Sequence, residues 1–380
     1  MNKKKKRITL SVTNDLVTDQ RVHKVCTSLH NAGYDVSLIG RKLRNSPAIN
    51  REYKTRRMRL VFNRSFFFYA EYNFRLFLRL LFIRTDILLS NDTDTLPANY
   101  LISKIRRKPL VFDAHEMFPE VPELTNRGFV KRFWTKIENC IFPKLKYSYT
   151  VCQPIADIYK DKYGIDMKVV RNIPFASTKI GNTSSEELAE AKNKLFPGHS
   201  NRHILLYQGA VNLGRGIEWI INAMYFLEGY VFYIVGDGDK MQEMQKHVKK
   251  VGVSNRVEFL GRIPFEKLQA YTACSDIGIS LLENRGLNYY YSLPNRIFDF
   301  IRKNIPILAT DFPEIRKIIE HYNIGELVDN YDPIFLAATI QNMVDKKKNL
   351  EGFAKANAEL TWENEADIML KIVDEAATKN

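Results

Sequence analysis

Short apolar runs alternate with helix-forming stretches along the chain, and this alternation is the feature that most restricts its fold. Strand–helix alternation is typical of parallel sheets covered by helices on both faces. The 380 residues are too many for one comfortable domain. The sequence therefore predicts two doubly wound α/β domains. The predicted strands are residues 8–12, 36–40, 59–62, 86–90, 110–113 and 147–152, and then 204–208, 231–235, 257–260, 277–281 and 305–310.

Polar residues follow several of the first-half strands, at the sheet edge where doubly wound proteins bind ligands. These residues are Asn14, Asp15, Asn91, Asp92, His115 and Glu116. An exposed histidine beside carboxylates can orient a sugar hydroxyl or exchange a proton near neutral pH. An ordinary hydrogen-bonded loop histidine is the alternative for His115. A metal site is not predicted, because no second set of ligands accompanies this cluster.

The stretch from residue 281 to residue 310 predicts a strand end, a polar loop, a helix and a buried strand. Pro294 suits the first turn of that helix, and Ser292 is a suitable N-cap. A helix that begins after a strand presents free N–H groups and a positive dipole end to a phosphate. Asp299, one turn inside, is placed to accept hydrogen bonds from a ribose diol. The alternative is an ordinary crossover whose loop binds nothing.

A glycine-rich turn runs from Gly209 to Gly216, with Arg215 as a counter-charge for a phosphate. The turn lacks the GxGxxG spacing, and VGDGDKMQ lacks a third glycine, so NAD binding is disfavoured. No GxxxxGK[ST] string is present, which excludes a P-loop. Two DxD strings, at 92–94 and 237–239, are common by chance in a chain with 43 acidic residues, and we interpret them as non-metal.

Positive charge is concentrated in the first half of the chain. Residues 1–180 contain 34 lysines and arginines against 16 acidic residues, whereas residues 181–380 contain 23 against 27. This asymmetry indicates an anionic partner of the first half: a membrane surface, nucleic acid or a charged acceptor.

Residues 51–84 hold much of this excess, interleaved with aromatic residues. Arg75, Arg79 and Arg84 interrupt the apolar run, so it is not a transmembrane helix. Either an interfacial helix or a core helix with a basic outer edge fits the pattern. We expect the surrounding charge to contact an anionic membrane surface. No nucleic-acid partner is expected, because no RNA-binding motif accompanies the aromatic residues.

Two further features bear on the compartment. Cys26, Cys140, Cys152 and Cys274 are scattered without a CxxC pair, and we expect buried thiols in a reducing compartment. The basic run after Met1 precedes only a strand-length apolar segment, so no signal peptide is predicted. Both observations indicate a cytoplasmic protein.

Several motifs resemble those of GT-B-fold glycosyltransferases of family 4. They are NDLVTDQRV and FDAHEMF in the first half, and YQGAVNLGRG, IVGDGD, VEFLGRIPF and SLPNRIFDFIRKNIPILAT, in that order, in the second. The resemblance implies two Rossmann-like domains that face a central cleft. Residues 1–178 would bind the acceptor and residues 179–360 the nucleotide sugar. Residues 361–380 would form a helix that crosses back onto the first domain.

The resemblance also implies site residues. His115, Arg215 and Asp299 are expected to be catalytic. The expected donor-binding residues are Gly209, Arg215, Gly236, Asp237, Gly261, Glu283, Ser292, Leu293, Asn295, Arg296 and Asp299. The expected acceptor-binding residues are Asn14, Asp15, Asp92, His115 and Glu116.

Two positions depart from the family pattern. Tyr291 stands where the family has the first glutamate of its paired-glutamate motif, so Glu283 or Asn288 is the candidate substitute for that sugar contact. Ala210 stands where the family has an arginine, and Arg296 is the candidate for the missing positive charge.

The activity implied is that of a retaining, hexosyltransferase-type glycosyltransferase with no metal and no cofactor. Its substrate would be a nucleoside-diphosphate sugar, and its acceptor a glycan or a lipid-linked sugar in cell-surface polysaccharide synthesis. The enzyme would act in the cytoplasm, peripherally on the inner face of the membrane. A sugar-nucleotide epimerase of the same fold is one alternative, but it needs no basic acceptor half. A non-catalytic nucleotide-sugar-binding protein is the other, favoured by Tyr291 and Ala210.

Overall fold

The computed structural model describes residues 5–17, 19–63, 65–120, 128–176 and 185–378. The chain forms two compact units, Met1–Asn172 together with Trp362–Asn380, and Ile173–Thr361. Each unit is built around a parallel sheet with helices packed on it.

The first unit has a seven-stranded sheet in the order β3-β2-β1-β4-β5-β6-β7. Its strands are β1 (Arg7–Asp15), β2 (Asp35–Arg41), β3 (Lys54–Met58), β4 (Ile87–Asn91), β5 (Leu110–Ala114), β6 (Tyr147–Thr150) and β7 (Lys168–Val169). Its helices are α1 (Gln20–Asn31), α2 (Ser65–Phe82), α3 (Leu96–Ile105), α4 (Gly128–Ile141) and α5 (Gln153–Tyr163), with the last helix of the chain, α15 (Trp362–Thr378).

The second unit has a six-stranded sheet in the order β10-β9-β8-β11-β12-β13. Its strands are β8 (His203–Gln208), β9 (Tyr230–Val235), β10 (Val257–Gly261), β11 (Ile277–Ser280), β12 (Ile307–Thr310) and β13 (Gly325–Val328). Its helices are α6 (Ser185–Leu195), α7 (Ile217–Ala223), α8 (Met241–Val251), α9 (Phe265–Ala273), α10 (Leu287–Tyr290), α11 (Asn295–Arg302), α12 (Pro313–Tyr322), α13 (Pro333–Asp345) and α14 (Leu350–Glu359).

The central strands are apolar because the sheets are covered on both faces. Every residue of β4, β5, β9, β11 and β12 is buried. Continuous apolar runs are the expected pattern for parallel strands between two helical layers. In both units the strand order reverses beside the first strand of the sheet, between β1 and β4 and between β8 and β11. Open α/β sheets bind ligands at this switch point, beyond the carboxyl ends of the strands.

Helix α15 returns to the first unit, as the family resemblance implied. Trp362 is fully buried in the core beside β1 and α1, and its Nε1 donates a 2.8 Å hydrogen bond to Ser28 Oγ. Glu365 on the next turn accepts hydrogen bonds from the backbone N–H and the guanidinium of Arg171. The predicted fold class, two Rossmann-like domains with a crossing C-terminal helix, is confirmed.

Several local predictions were wrong. The strand predicted at 59–62 lies earlier, at β3, an edge strand in which three of the five residues are basic. Helix α11 begins at Asn295 with Pro294 as its N-cap, so Ser292 is not the cap. Cys140 is exposed on α4, whereas the other three cysteines are buried as expected. Strands β7 and β13 were missed because they are short and lie at the sheet edges.

No helix within the described ranges is long and apolar enough to cross a membrane.

Trp362→Ala is expected to destabilise the protein by about 3–5 kcal/mol, because it leaves a cavity at the base of α15. Ile368→Ala on the same helix is the matched control, since Ile368 is 37% exposed. Denaturant unfolding measures both. Equal losses for the two variants would show that α15 is not anchored through Trp362.

Candidate active site

The switch point of the second unit is built from glycine turns that pack backbone against backbone. Gly209, directly after β8, has φ +136° and donates to the carbonyl of Val235. A Cβ on Gly236 would lie 1.8 Å from the Gly209 carbonyl oxygen, and one on Gly238 would lie 2.3 Å from that of Val211. Only glycine allows this approach. The predicted donor residues Gly209 and Gly236 therefore lie together.

Two arginines converge beside the Gly209 turn. The Arg296 side chain is buried, and its guanidinium lies 4.5 Å from the centroid of the Tyr207 ring and 3.5 Å, through Nη1, from the Gln208 carbonyl oxygen. Arg215 is close enough to lower the pKa of Arg296, although burial is the larger cause of that lowering. The Arg215 guanidinium packs over Tyr289 at 5.4 Å, and its Nε is buried with no hydrogen-bond partner among the described residues.

Neither guanidinium forms an ion pair with a carboxylate in the part of the chain that the structure describes. Buried cations are costly unless they are paired. Arg296 is buried and Arg215 is half-buried beside a turn of close-packed backbone, so the pair is suited to bind an anion. A guanidinium can donate two parallel hydrogen bonds to one phosphate group, so a phosphate is the natural ligand.

Asp299 joins the same site through a glutamine. Gln208 Nε2 donates a 2.7 Å hydrogen bond to Asp299 Oδ2, and Thr272 Oγ1 donates a 2.8 Å bond to Gln208 Oε1. Burial raises the pKa of Asp299 to about 6, against the opposing effects of Gln208 and Arg296. The carboxyl group is therefore largely ionised at neutral pH and remains a hydrogen-bond acceptor.

The loop after β11 contacts the Arg215 turn. Glu283 donates its backbone N–H to the Gly214 carbonyl, while its carboxylate pairs with Arg285 at 2.8 Å. The candidate substitute Glu283 thus already has a cationic partner. Ser292 Oγ donates to the Tyr289 carbonyl, so the hydroxyl is engaged within its own loop.

The remaining predicted donor residues lie around this centre. The N–H of Gly236 donates to the carbonyl of Gly261, and Asp237 pairs with Arg262 at 3.3 Å on an exposed surface. Leu293 packs against the second-unit core, and Asn295 is the exposed first residue of α11. Asp237 and Leu293 thus have partners other than the two arginines.

At the switch point of the first unit, a charged network surrounds His115. The imidazole lies 3.1 Å from Asp92 Oδ2 through Nδ1 and 3.1 Å from Asp113 Oδ2 through Nε2. Arg21 on α1 binds Asp113 through Nε and Nη2, the latter at 2.7 Å. Asp92 also accepts the backbone N–H of His115. The backbone φ of Asp92, +59°, is unusual for a residue other than glycine.

The network keeps His115 charged. Burial disfavours the imidazolium, but Asp92 and Asp113 outweigh it and raise the pKa of His115 well above its usual range. Burial similarly opposes ionisation of Asp113, yet Arg21 and His115 lower its pKa to about 2. Both ring nitrogens donate to carboxylates, so neither nitrogen of His115 has a free lone pair that could accept a proton. This geometry suits orientation of the Asp92 loop, not proton exchange.

Asp94 lies beside this network and is buried. Its Oδ2 accepts from Thr13 Oγ1 near the end of β1, whereas its Oδ1 is buried and has no hydrogen-bond partner in the part of the chain that the structure describes. Burial, assisted by the Asp92 charge, raises the pKa of Asp94 to about 8. The carboxyl group is therefore mostly protonated at neutral pH.

The other predicted acceptor residues point elsewhere. Asn14 donates to Asp19, the N-cap of α1, and Asp15 accepts from Ser46 and from the N–H of Val17. Glu116 is exposed, and its carbonyl accepts from the Tyr159 hydroxyl. Of the predicted acceptor set, Asp92 and His115 are in direct contact with each other.

No group of three or more histidine, cysteine, aspartate or glutamate side chains suited to a metal occurs among the described residues.

Some residues of these two centres were not predicted. Hydrogen bonds or charges of these centres are also provided by Gln208, Tyr207, Arg21 and Asp94. Gln208 had a signal, because it is the polar last residue of an apolar strand that precedes a glycine turn. Arg21 had none, since a basic residue on a helix is usually exposed.

Asp94→Asn is expected to change how stability depends on pH. A carboxyl group whose pKa is raised on folding stabilises the fold at low pH, and this contribution is lost as pH rises towards the folded-state value. Stability of the wild type should therefore fall between pH 4 and about pH 8. Asp94→Asn should remove more than about 1 kcal/mol of this fall.

Urea unfolding across that pH range measures the difference, with Asp367→Asn, at an exposed position on α15, as the control. A slope unchanged in Asp94→Asn would contradict the assignment.

Comparisons with known proteins agree with this architecture. A family model described as "Glycosyl transferases group 1" matches residues 202–346, and "Glycosyltransferase Family 4" matches residues 19–174. Alpha-D-kanosaminyltransferase of Streptomyces kanamyceticus is 22% identical over 276 residues, which are 69% of this chain and 68% of that protein.

A second relative, from Campylobacter jejuni, is named GalNAc-alpha-(1->4)-GalNAc-alpha-(1->3)-diNAcBac-PP-undecaprenol alpha-1,4-N-acetyl-D-galactosaminyltransferase. It is 24% identical over 202 residues, half of this chain and half of that protein.

Solved structures show the same fold over almost the whole length. A glycosyltransferase from Rickettsia africae superposes with a TM-score of 0.75 at 15% identity, covering 99% of this chain and 100% of that one. HepE from Anabaena, solved in complex with UDP, gives a TM-score of 0.73 at 15% identity, with 97% and 100% covered. The family models on both halves and the shared fold show that this chain belongs to the GT-B glycosyltransferases of family 4.

Proposed function

We propose that this glycosyltransferase moves a hexose from a nucleoside-diphosphate sugar to a glycan or lipid-linked acceptor, with retention at the anomeric carbon. The observation that carries the donor class is the pair Arg215 and Arg296 beside the Gly209 turn, without a carboxylate partner among the described residues. A diphosphate is the anion that a sugar donor of this kind presents.

In this proposal the arginines act on the leaving group. Negative charge develops on the diphosphate as the glycosidic bond breaks, and fixed cations in a buried site stabilise it without reorganisation. Arg215 and Arg296 supply that charge from two different elements, which compensates for Ala210. We accordingly propose a reaction that needs neither a metal nor a cofactor.

Asp299 is proposed to hold the donor ribose. Gln208 occupies Oδ2, so Oδ1 is the atom that would accept a ribose hydroxyl. Because the ribose and the diphosphate belong to one ligand, fixing both positions the anomeric carbon. The hydrogen bond from Thr272 keeps Gln208, and through it Asp299, in this orientation.

The acceptor and the location are proposed from a relative and from the distribution of charge along the chain. The name of the Campylobacter jejuni relative describes a lipid-linked sugar acceptor. The first half of this chain has an excess of cations that suits an anionic surface. We propose a cytoplasmic enzyme that is peripheral on the inner face of the membrane and contributes to cell-surface polysaccharide.

Asp299→Ala is expected to raise the donor dissociation constant by about tenfold or more, as loss of a hydrogen bond to a charged group does. The donor is first found by thermal-shift screening of UDP-, GDP- and dTDP-sugars, and affinity is then measured by calorimetry. Glu228→Ala, at an exposed position of the same unit, is the control. Unchanged affinity in a folded Asp299→Ala protein would remove Asp299 from the site.

Arg215→Ala and Arg296→Ala are each expected to lower kcat by about two orders of magnitude, as removal of one transition-state charge partner can. Arg296→Lys keeps the charge and should retain more activity than Arg296→Ala. Lys249→Ala, which removes an exposed cation from α8, is the control. The rate of sugar transfer is measured from the amount of nucleoside diphosphate released. Full rates in both alanine variants would refute the diphosphate role.

A further inference from the structure

Helix α2 carries a stripe of large apolar side chains that face solvent. Phe67, Phe74, Leu78 and Phe82 are 60%, 65%, 40% and 81% exposed. Their spacing of seven, four and four residues places them on one side of the helix. The opposite side of the helix packs into the first unit, where it buries Phe68, Tyr72, Leu76 and Leu80. The helix is therefore apolar on both sides, although only one side meets the core.

Exposed aromatic rings extend this stripe beyond its amino end. Phe66 lies 6.0 Å from Phe67 and 5.6 Å from Phe133 of α4, measured between ring centroids. Phe62 lies 5.4 Å from Phe67. Large apolar patches are uncommon on the surface of a soluble monomer and usually mark an interaction site.

Helix α3 adds Leu101 and Ile105, which are 52% and 58% exposed. This helix is fixed to α2 by polar contacts, since Arg106 Nη1 donates to the carbonyls of Leu80 and Ile83. We call the exposed apolar side chains of α2 and α3 the apolar face. Its members are Phe66, Phe67, Phe74, Leu78, Phe82, Leu101 and Ile105.

The charges beside the apolar face are almost all positive. Arg75, Arg79 and Arg84 are exposed on or just after α2, and Lys104 and Arg107 are exposed on or just after α3. The single acidic residue of α2, Glu71, pairs with Arg75 and accepts the backbone N–H groups of Val61 and Phe62. Helix α3 has no acidic residue. The face is therefore complementary to an anionic partner.

We propose that the apolar face inserts into the acyl boundary of an anionic lipid bilayer, with α2 lying along the surface. The combination of bulky apolar groups with flanking arginines and lysines is that of a helix held in a membrane interface. Cationic side chains also reach headgroups while their stems cover apolar surface. This inference rests on the proposed membrane location and adds that attachment is by insertion, not by charge alone.

The first test measures binding to vesicles of phosphatidylcholine with phosphatidylglycerol, at low and at high salt. Salt screens the charge contribution but leaves insertion. Wild-type protein should retain binding at high salt. The variant Phe74→Ala, Leu78→Ala, Phe82→Ala should lose about tenfold or more of that remaining affinity, since each deleted side chain takes its buried apolar area with it. Tyr225→Ala with Phe226→Ala, exposed in the second unit, is the matched control and should bind like wild type.

The second test places a reporter on the face without deleting it. Phe74→Trp should show blue-shifted emission with vesicles and quenching by lipids brominated on their acyl chains, whereas Tyr225→Trp should show neither. Salt-abolished binding of the wild type, or an unquenched Phe74→Trp, would overturn insertion. So would a dimer in sedimentation that the triple variant dissociates, because the face would then be a protein interface. The donor calorimetry described above is independent of these results, so failure of the proposed transferase activity would be seen separately.

Discussion

The proposed donor site depends on a buried guanidinium that forms no ion pair with a carboxylate in the described part of the second unit. Arg296 is fixed by its helix, by the Tyr207 ring beneath it and by the glycine turn beside it. Removing a cation from water is expensive, and burial lowers the pKa of Arg296 for that reason. This desolvation cost is present in the unliganded protein, and binding of an anion beside the guanidinium would offset it. At Gly236 and Gly238 a side chain would collide with the backbone of the Gly209 turn, so glycine is required where these turns pack together.

In the first unit, the charges that are gathered at the switch point are negative. Its switch point gathers Asp92, Asp94 and Asp113, and the like charges are managed in two ways. Arg21 and His115 keep Asp113 ionised, while Asp94 takes up a proton instead of a counter-ion. Asp113 on β5 is therefore a carboxylate, whereas the side chain of Asp94, on the loop after β4, is mostly a carboxylic acid.

Much of the fold was predictable from the sequence, because buried parallel strands leave continuous apolar runs such as ILLSN and YVFYIV. Strand β3 was misplaced because its residues are basic and lie next to a longer aromatic run. In the site, Gly209, Arg215 and Asp299 follow strand ends or match a known motif. Gln208, Arg21 and Asp94 act through partners 91, 92 and 81 residues away along the chain, and spacing alone carries no record of such contacts.

The return of α15 to the first unit affects the order in which the chain can fold during synthesis. Residues of Trp362–Thr378 contribute to the core beside β1, so that core is incomplete until the last part of the chain has been made. The second unit, Ile173–Thr361, has no such requirement. The second unit can therefore complete its core from one continuous stretch of chain, whereas the core of the first unit must wait for residues 362–378.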